Sequence, residues 1–87
     1  MSLDDSFRAL NRYMCRKIID QMRRHGPMSV AEIHSRMKIG SRAAVSQSLA
    51  LLLKAGLVSL QRQGRNHFYE IRNAGFKELV SYLGSLQ

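Results

Sequence analysis

The sequence predicts a single, mainly α-helical domain with one small β-hairpin, and three observations predict it. Apolar residues recur at spacings of three and four through most of the chain, the period of a helix with one buried face. That period gives way after Gly56, where residues 57–60 and 67–71 are β-branched or aromatic-rich runs around a polar segment. The length is 87 residues, 45% of them hydrophobic, which provides one small core and no second domain.

The elements follow in order. Residues 4–24 open with Asp4, Asp5 and Ser6, the acidic and capping types favoured at a helix N-terminus. Phe7, Leu10, Met14, Ile18 and Met22 then make one apolar stripe. Arg23, Arg24 and His25 suit a helix C-terminus, and Gly26-Pro27 stops it. The stretch fits one long helix, or two with a kink near residues 11–13. Ser29 with Glu32 three residues on is a capping box for a short helix to about Met37, with Val30, Ile33 and Met37 facing inward. Lys38-Ile39-Gly40 forms a turn, and Ser41 caps a further helix to about residue 55, stopped by Gly56. Its core stripe is Val45, Leu49 and Leu52, with Arg42, Ser46, Gln47 and Ala50 on other faces. The hairpin has a polar, basic tip at residues 61–66. A last helix, from about 73 to 86, carries Phe76, Leu79, Val80 and Leu83 at helical spacing.

Two short helices joined by a three-residue turn form a helix-turn-helix, and the basic hairpin behind them makes it winged. The expected order is α-α-α-α-β-β-α, or the same with the first two helices fused. One domain over residues 1–87 then divides into a helix-turn-helix at about 29–55, a wing at about 57–72 and terminal helices at about 4–24 and 73–86.

Charge points to the partner. Fourteen Lys and Arg against six Asp and Glu give a net charge of +8, which favours nucleic acid or an anionic membrane surface. Between Ile33 and Tyr69 stand Arg36, Lys38, Arg42, Lys54, Arg62 and Arg65, with no acid at all. An acid-free segment over the second helix of the pair and the wing is an electrostatic footprint for phosphates. A membrane partner is not expected. No apolar run approaches the roughly 18 residues of a spanning helix, the N-terminus is broken by Asp4, Asp5 and Arg8, and no basic amphipathic helix carries aromatic anchors.

Other chemistries find little support. Cys15 is the single cysteine and reads as a small packed residue in a reduced, cytoplasmic protein. His25, His34 and His67 fall on three separate elements without ligand spacing, so neither metal nor cofactor is expected. Asp20, Glu32, Glu70 and Glu78 are scattered, and no nucleophile–base arrangement or Gly-rich phosphate loop occurs, so the chain does not read as an enzyme. Two functions remain: binding double-stranded DNA, or a winged-helix module that binds an acidic protein and not DNA. The acid-free segment favours DNA.

The stretches FRAL at 7–10, RKII at 16–19, SVAEI at 29–33, AVSQSLALLLKAGLV at 44–58 and RQGRNHFYEI at 62–71 resemble the ArsR-type winged-helix transcriptional regulators of bacteria, over roughly residues 7–71. The resemblance implies a homodimeric repressor of palindromic operators. It makes residues 41–48 the front of the recognition helix. Arg42 and Gln47 would then reach base edges, Ser41, Ser46 and Ser48 would donate to bases or phosphates, Arg36 and Lys38 would take phosphates, and Arg62, Arg65 and Asn66 would hold the backbone or minor groove. The apolar stripes Phe7, Leu10, Met14 and Phe76, Leu79, Val80, Leu83 either close the monomer core or meet a second chain; the resemblance implies the second. The family's Asp-Pro-Thr-type kink is replaced by Asn11-Arg12-Tyr13-Met14, which implies a straighter first helix. The cysteine pair of thiolate-binding members is missing from the Val30–Met37 helix, and the last helix lacks His, Asp and Cys. A member without metal sensing is expected. Leu53 stands where the family more often carries a charge.

Overall fold

The computed structural model describes residues 3–87. Its elements are α1 (Leu3–Leu10), α2 (Tyr13–His25), α3 (Val30–Met37), α4 (Arg42–Lys54), β1 (Val58–Gln63), β2 (Asn66–Ile71) and α5 (Asn73–Gly84), the expected order with the first two helices separate.

The break at Asn11-Arg12 corrects two expectations. The chain kinks here without the Asp-Pro-Thr sequence. Asn11 and Arg12 donate their N–H groups to Phe7 and Ala9 (2.9 and 3.0 Å), and the Arg16 guanidinium reaches back to the Leu10 carbonyl oxygen at 2.6 Å. The carbonyl end of α1 is thus closed by a cation from α2, as orphaned helix-end groups require. The break also resets the helical phase, so the single stripe from Phe7 to Met22 does not hold. α1 buries Ser6 and Ala9, whereas α2 buries Cys15, Ile18 and Met22.

Gly26, at φ 79, ends α2, a conformation in which glycine has no Cβ to clash. Met28 then pairs with Tyr69 through two backbone hydrogen bonds (2.9 and 2.8 Å), which anchor the entry to α3 on the outer side of β2. The capping box at α3 is complete: the Ser29 hydroxyl accepts from the Glu32 N–H, and the Glu32 carboxylate accepts from the Ser29 N–H, each at 3.2 Å. Ser41 caps α4 by accepting the Ala44 N–H at 3.1 Å.

The core lies where α2, α3 and α4 meet the base of the hairpin, with Ile18, Ile33, Val45, Leu49, Leu52, Leu57 and Val58 all buried. Leu53 is half-buried and packs against this cluster, so an apolar side chain suits its place. α5 is docked through its first turn. The Arg72 N–H donates to Leu57 (2.9 Å) and its guanidinium to Gly56 (3.2 Å). Gly75 lies so close to the Gly56 backbone that a Cβ would fall on the Gly56 carbonyl oxygen.

The strands run further into the wing than the sequence predicts, because polar residues still pair through the backbone. Register runs from Val58 opposite Ile71 to Gln63 opposite Asn66. This leaves a two-residue turn, Gly64-Arg65, with Gly64 at φ 61. Glycine at the first central position, followed by a residue at negative φ, is a type II′ hairpin turn, whose twist matches the strands it joins.

Candidate nucleic-acid interface

The helix-turn-helix is held in shape at its turn. Lys38 caps α3 in the left-handed conformation (φ 55) and is the one described non-glycine residue at positive φ. Gly40 is also left-handed at φ 69, and a Cβ there would come within 2.7 Å of the Met14 side chain. His34 Nε2 donates to the Gly40 carbonyl oxygen at 3.0 Å, tying α3 to the turn. His34 therefore has a structural partner, and Met14 packs beneath the turn.

Of the ten residues expected to touch DNA, nine are exposed: Arg36, Lys38, Ser41, Arg42, Ser46, Gln47, Arg62, Arg65 and Asn66. Arg36 and Arg42 come together, lining one shallow hollow with Ala31, Glu32 and Ser35 between α3 and the start of α4. The wing residues divide. Arg62 stands opposite His67 on one face, Asn66 opposite Gln63 on the other, and Arg65 sits at the tip. Period-two alternation along each strand produces this split.

The tenth residue is a correction. Ser48 is 0% exposed. Its carbonyl oxygen accepts the Cys15 thiol at an S···O distance of 3.6 Å, and its own hydroxyl has no hydrogen-bond partner among the described residues. Val45, Ser48, Leu49 and Leu52 lie three and four residues apart on one face, so Ser48 turns inward with the core. Cys15 is buried as expected. Desolvation pushes its thiol above the ordinary range, offset in part by the nearby Arg12 and Arg16 charges.

The cations of the 33–69 segment have no ion pair among the described residues. The salt bridges there, Arg8–Asp5 and Arg23–Asp20, lie in α1 and α2. The acids bordering the segment face other partners: Glu32 closes the capping box, and Glu70 accepts from the Gln61 amide at 2.8 Å. Arg72, just beyond, holds Gly56. Across α3, α4 and the wing the six cations of this segment therefore outnumber two carboxylates, Glu32 and Glu70, and the local potential stays positive.

The terminal helices carry a second, apolar surface. Phe7 is 40% exposed, Val80 68% and Leu83 51%. Phe7 meets Tyr82 edge to face, with ring centroids 5.8 Å apart. Leu79, expected at a dimer interface, is instead 5% exposed and belongs to the monomer core. Leu10, Met14 and Phe76 are half-buried against that core. Tyr82 and Leu86 are exposed apolar residues that the sequence reading passed over; both extend the helical spacing of the α5 stripe. Among the described residues no three His, Cys, Asp or Glu side chains gather to hold a metal ion, and no helix is long and apolar enough to cross a membrane.

Comparison with known proteins agrees with this geometry. The model of the MarR family matches residues 17–67, from within α2 through the helix-turn-helix to the wing. No curated protein matches the chain. Among solved structures, an ArsR-like transcriptional regulator from Rhodococcus sp. RHA1 is 25% identical, with a TM-score of 0.87 over 97% of this chain and 77% of its own. A possible transcriptional regulator for arsenical resistance is 26% identical, with a TM-score of 0.81 over 94% and 83%. Reduced HlyU from Vibrio cholerae N16961 is 26% identical, with a TM-score of 0.73 over 97% and 86%. The first two of these are regulators of transcription. With more than half its length matched by the family model, and with the winged helix-turn-helix of the ArsR-type regulators it resembles, the chain belongs to the MarR family.

Proposed function

We propose that this chain is a homodimeric, sequence-specific DNA-binding repressor that works in the cytoplasm and carries no metal-sensing site. The observation that carries the reading is the set of exposed, unpaired cations on α3, α4 and the wing, drawn from a segment without one acid. Such a surface gains affinity by releasing counterions from phosphates. α4 would enter the major groove, with Arg36 and Lys38 on the backbone to one side and Arg62, Arg65 and Asn66 on the other. The dimer would close over Phe7, Val80 and Leu83 with Tyr82 and Leu86, since exposed apolar side chains on the terminal helices of a small domain favour a second chain. That would place two α4 helices in successive major grooves, about 34 Å apart. The repressor role rests on the ArsR-type resemblance.

The test is duplex binding by fluorescence anisotropy across a salt series, wild type beside Arg42→Ala and Arg65→Ala. Binding that weakens steeply with salt and is damaged by both substitutions supports the reading. Absence of binding to any duplex at low salt overturns it in favour of a protein-binding winged helix.

A further inference from the structure

The outward line of α4 is not the one the charge pattern picks out. The inward face is Val45, Ser48, Leu49 and Leu52. Directly opposite, four, three and four residues apart, stand Ala43, Gln47, Ala50 and Lys54, all exposed. Arg42 is not on this line. It lies on the flank toward α3, in the hollow it shares with Arg36, Ser35 and Glu32. Ser46 lies between the two.

We propose that Gln47, flanked by the methyl groups of Ala43 and Ala50, is the base-reading centre of the recognition helix, and that its target is a run of A·T pairs. Arg42 then acts with Arg36 on a phosphate. Three points of chemistry meet here. A glutamine amide matches the adenine N6 and N7 edge with two hydrogen bonds, and an alanine methyl packs on the thymine C5-methyl. The helix rises about 1.5 Å per residue, so Ala43 and Ala50 lie about 6 and about 4.5 Å along the axis from Gln47. Those offsets are one to two base-pair steps of about 3.4 Å, close enough to address neighbouring pairs in one groove. Alanines also place only a methyl group between the helix and the groove floor, so a backbone carrying them can approach closely. Lys54, at the far end of the line, meets the opposite backbone as a point charge.

This inference rests on the DNA-binding reading and fails separately from it. Duplexes are selected from a randomised pool by the wild-type protein, and the selected sequence is remade with deoxyuridine in place of thymidine, which removes only the methyl groups. The expected half-site contains adjacent A·T pairs, and the deoxyuridine duplex binds several-fold more weakly. Gln47→Ala should cost about tenfold on that duplex and erase the preference at one pair, whereas Arg42→Ala weakens selected and random duplexes alike. A G·C-centred half-site whose preference disappears with Arg42→Ala would overturn the assignment. So would equal binding of the thymidine and deoxyuridine duplexes, or binding without any sequence preference; each of these leaves DNA binding itself standing. No binding to any duplex at low salt removes both readings together.

Discussion

The molecule presents two surfaces that differ in how the chain builds them. The basic surface comes from one unbroken segment, residues 33–69, whose cations stay exposed whatever the detailed helix phase. The apolar surface is drawn from the two ends of the chain, Phe7 against Tyr82, with Val80 and Leu83 exposed elsewhere on α5. Its membership depends on the rotation of each helix about its own axis. A surface of the first kind is readable as composition. One of the second kind is readable only if every break and every phase is known.

The largest effect should come from breaking the apolar surface while leaving the basic one intact. Leu83→Asp puts a charge on an exposed position, so the monomer should fold, but the proposed dimer should not form. Analytical ultracentrifugation should report a monomer. Affinity for a duplex with two half-sites should fall about 10²- to 10⁴-fold through loss of avidity, with binding to a single half-site unchanged. A monomeric wild type would refute the dimer directly.

Next in size is the joint between α5 and the body. In Gly75→Ala the new methyl meets backbone, the Gly56 carbonyl, and no side-chain rotation relieves it. A loss of about 3 kcal/mol is expected in urea unfolding, the upper end for overpacking. Gly84→Ala is the control, since nothing lies within 4 Å of its added methyl; it should be neutral or slightly stabilising. Equal behaviour of the two variants would mean that α5 is not held at Gly56.

Smaller again is the effect of single cations on the basic surface. Arg65 sits at an exposed two-residue turn with no partner among the described residues, so Arg65→Ala should leave stability within about 0.5 kcal/mol. It should reduce the slope of log affinity against log salt by about 0.9 per protomer, the value of one lost phosphate contact. An unchanged slope would take the wing tip off the DNA.

Most of the fold could be read in the sequence because its local signals agree. The Ser29–Glu32 box, the Ser41 cap and the glycine stops each act over a few residues, and the structure uses each of them. What could not be read depends on distant partners. A kink near residues 11–13 is one of two readings the sequence allows, and what closes the break, Arg16 reaching Leu10, is encoded by no propensity. Leu79 is claimed by the monomer core only because α5 docks on Gly56. The length of the wing strands is hidden in the sequence because strands are recognised by apolar alternation, while the outer pairs here are polar and held by backbone bonds. Ser48 is a different case. Its spacing from Val45 and Leu52 marks it as inward, whereas its residue type suits an exposed contact, and position decides.

Ser48 also supplies the subtlest prediction. Its hydroxyl is fully buried without a partner, while its carbonyl takes the Cys15 thiol. A buried hydroxyl that makes no hydrogen bond costs about 1 kcal/mol or more relative to an apolar group of similar size. Ser48→Ala removes that cost, keeps the backbone carbonyl for Cys15 and adds helix propensity. The variant should therefore be more stable by about 1 kcal/mol in urea unfolding, with the affinity for duplex unchanged. The opposite pair of results, lower affinity at unaltered stability, would return Ser48 to the contacts with DNA. It would mean that α4 rotates on binding, turning its inward and outward lines about the axis and redrawing the boundary between core and reading face.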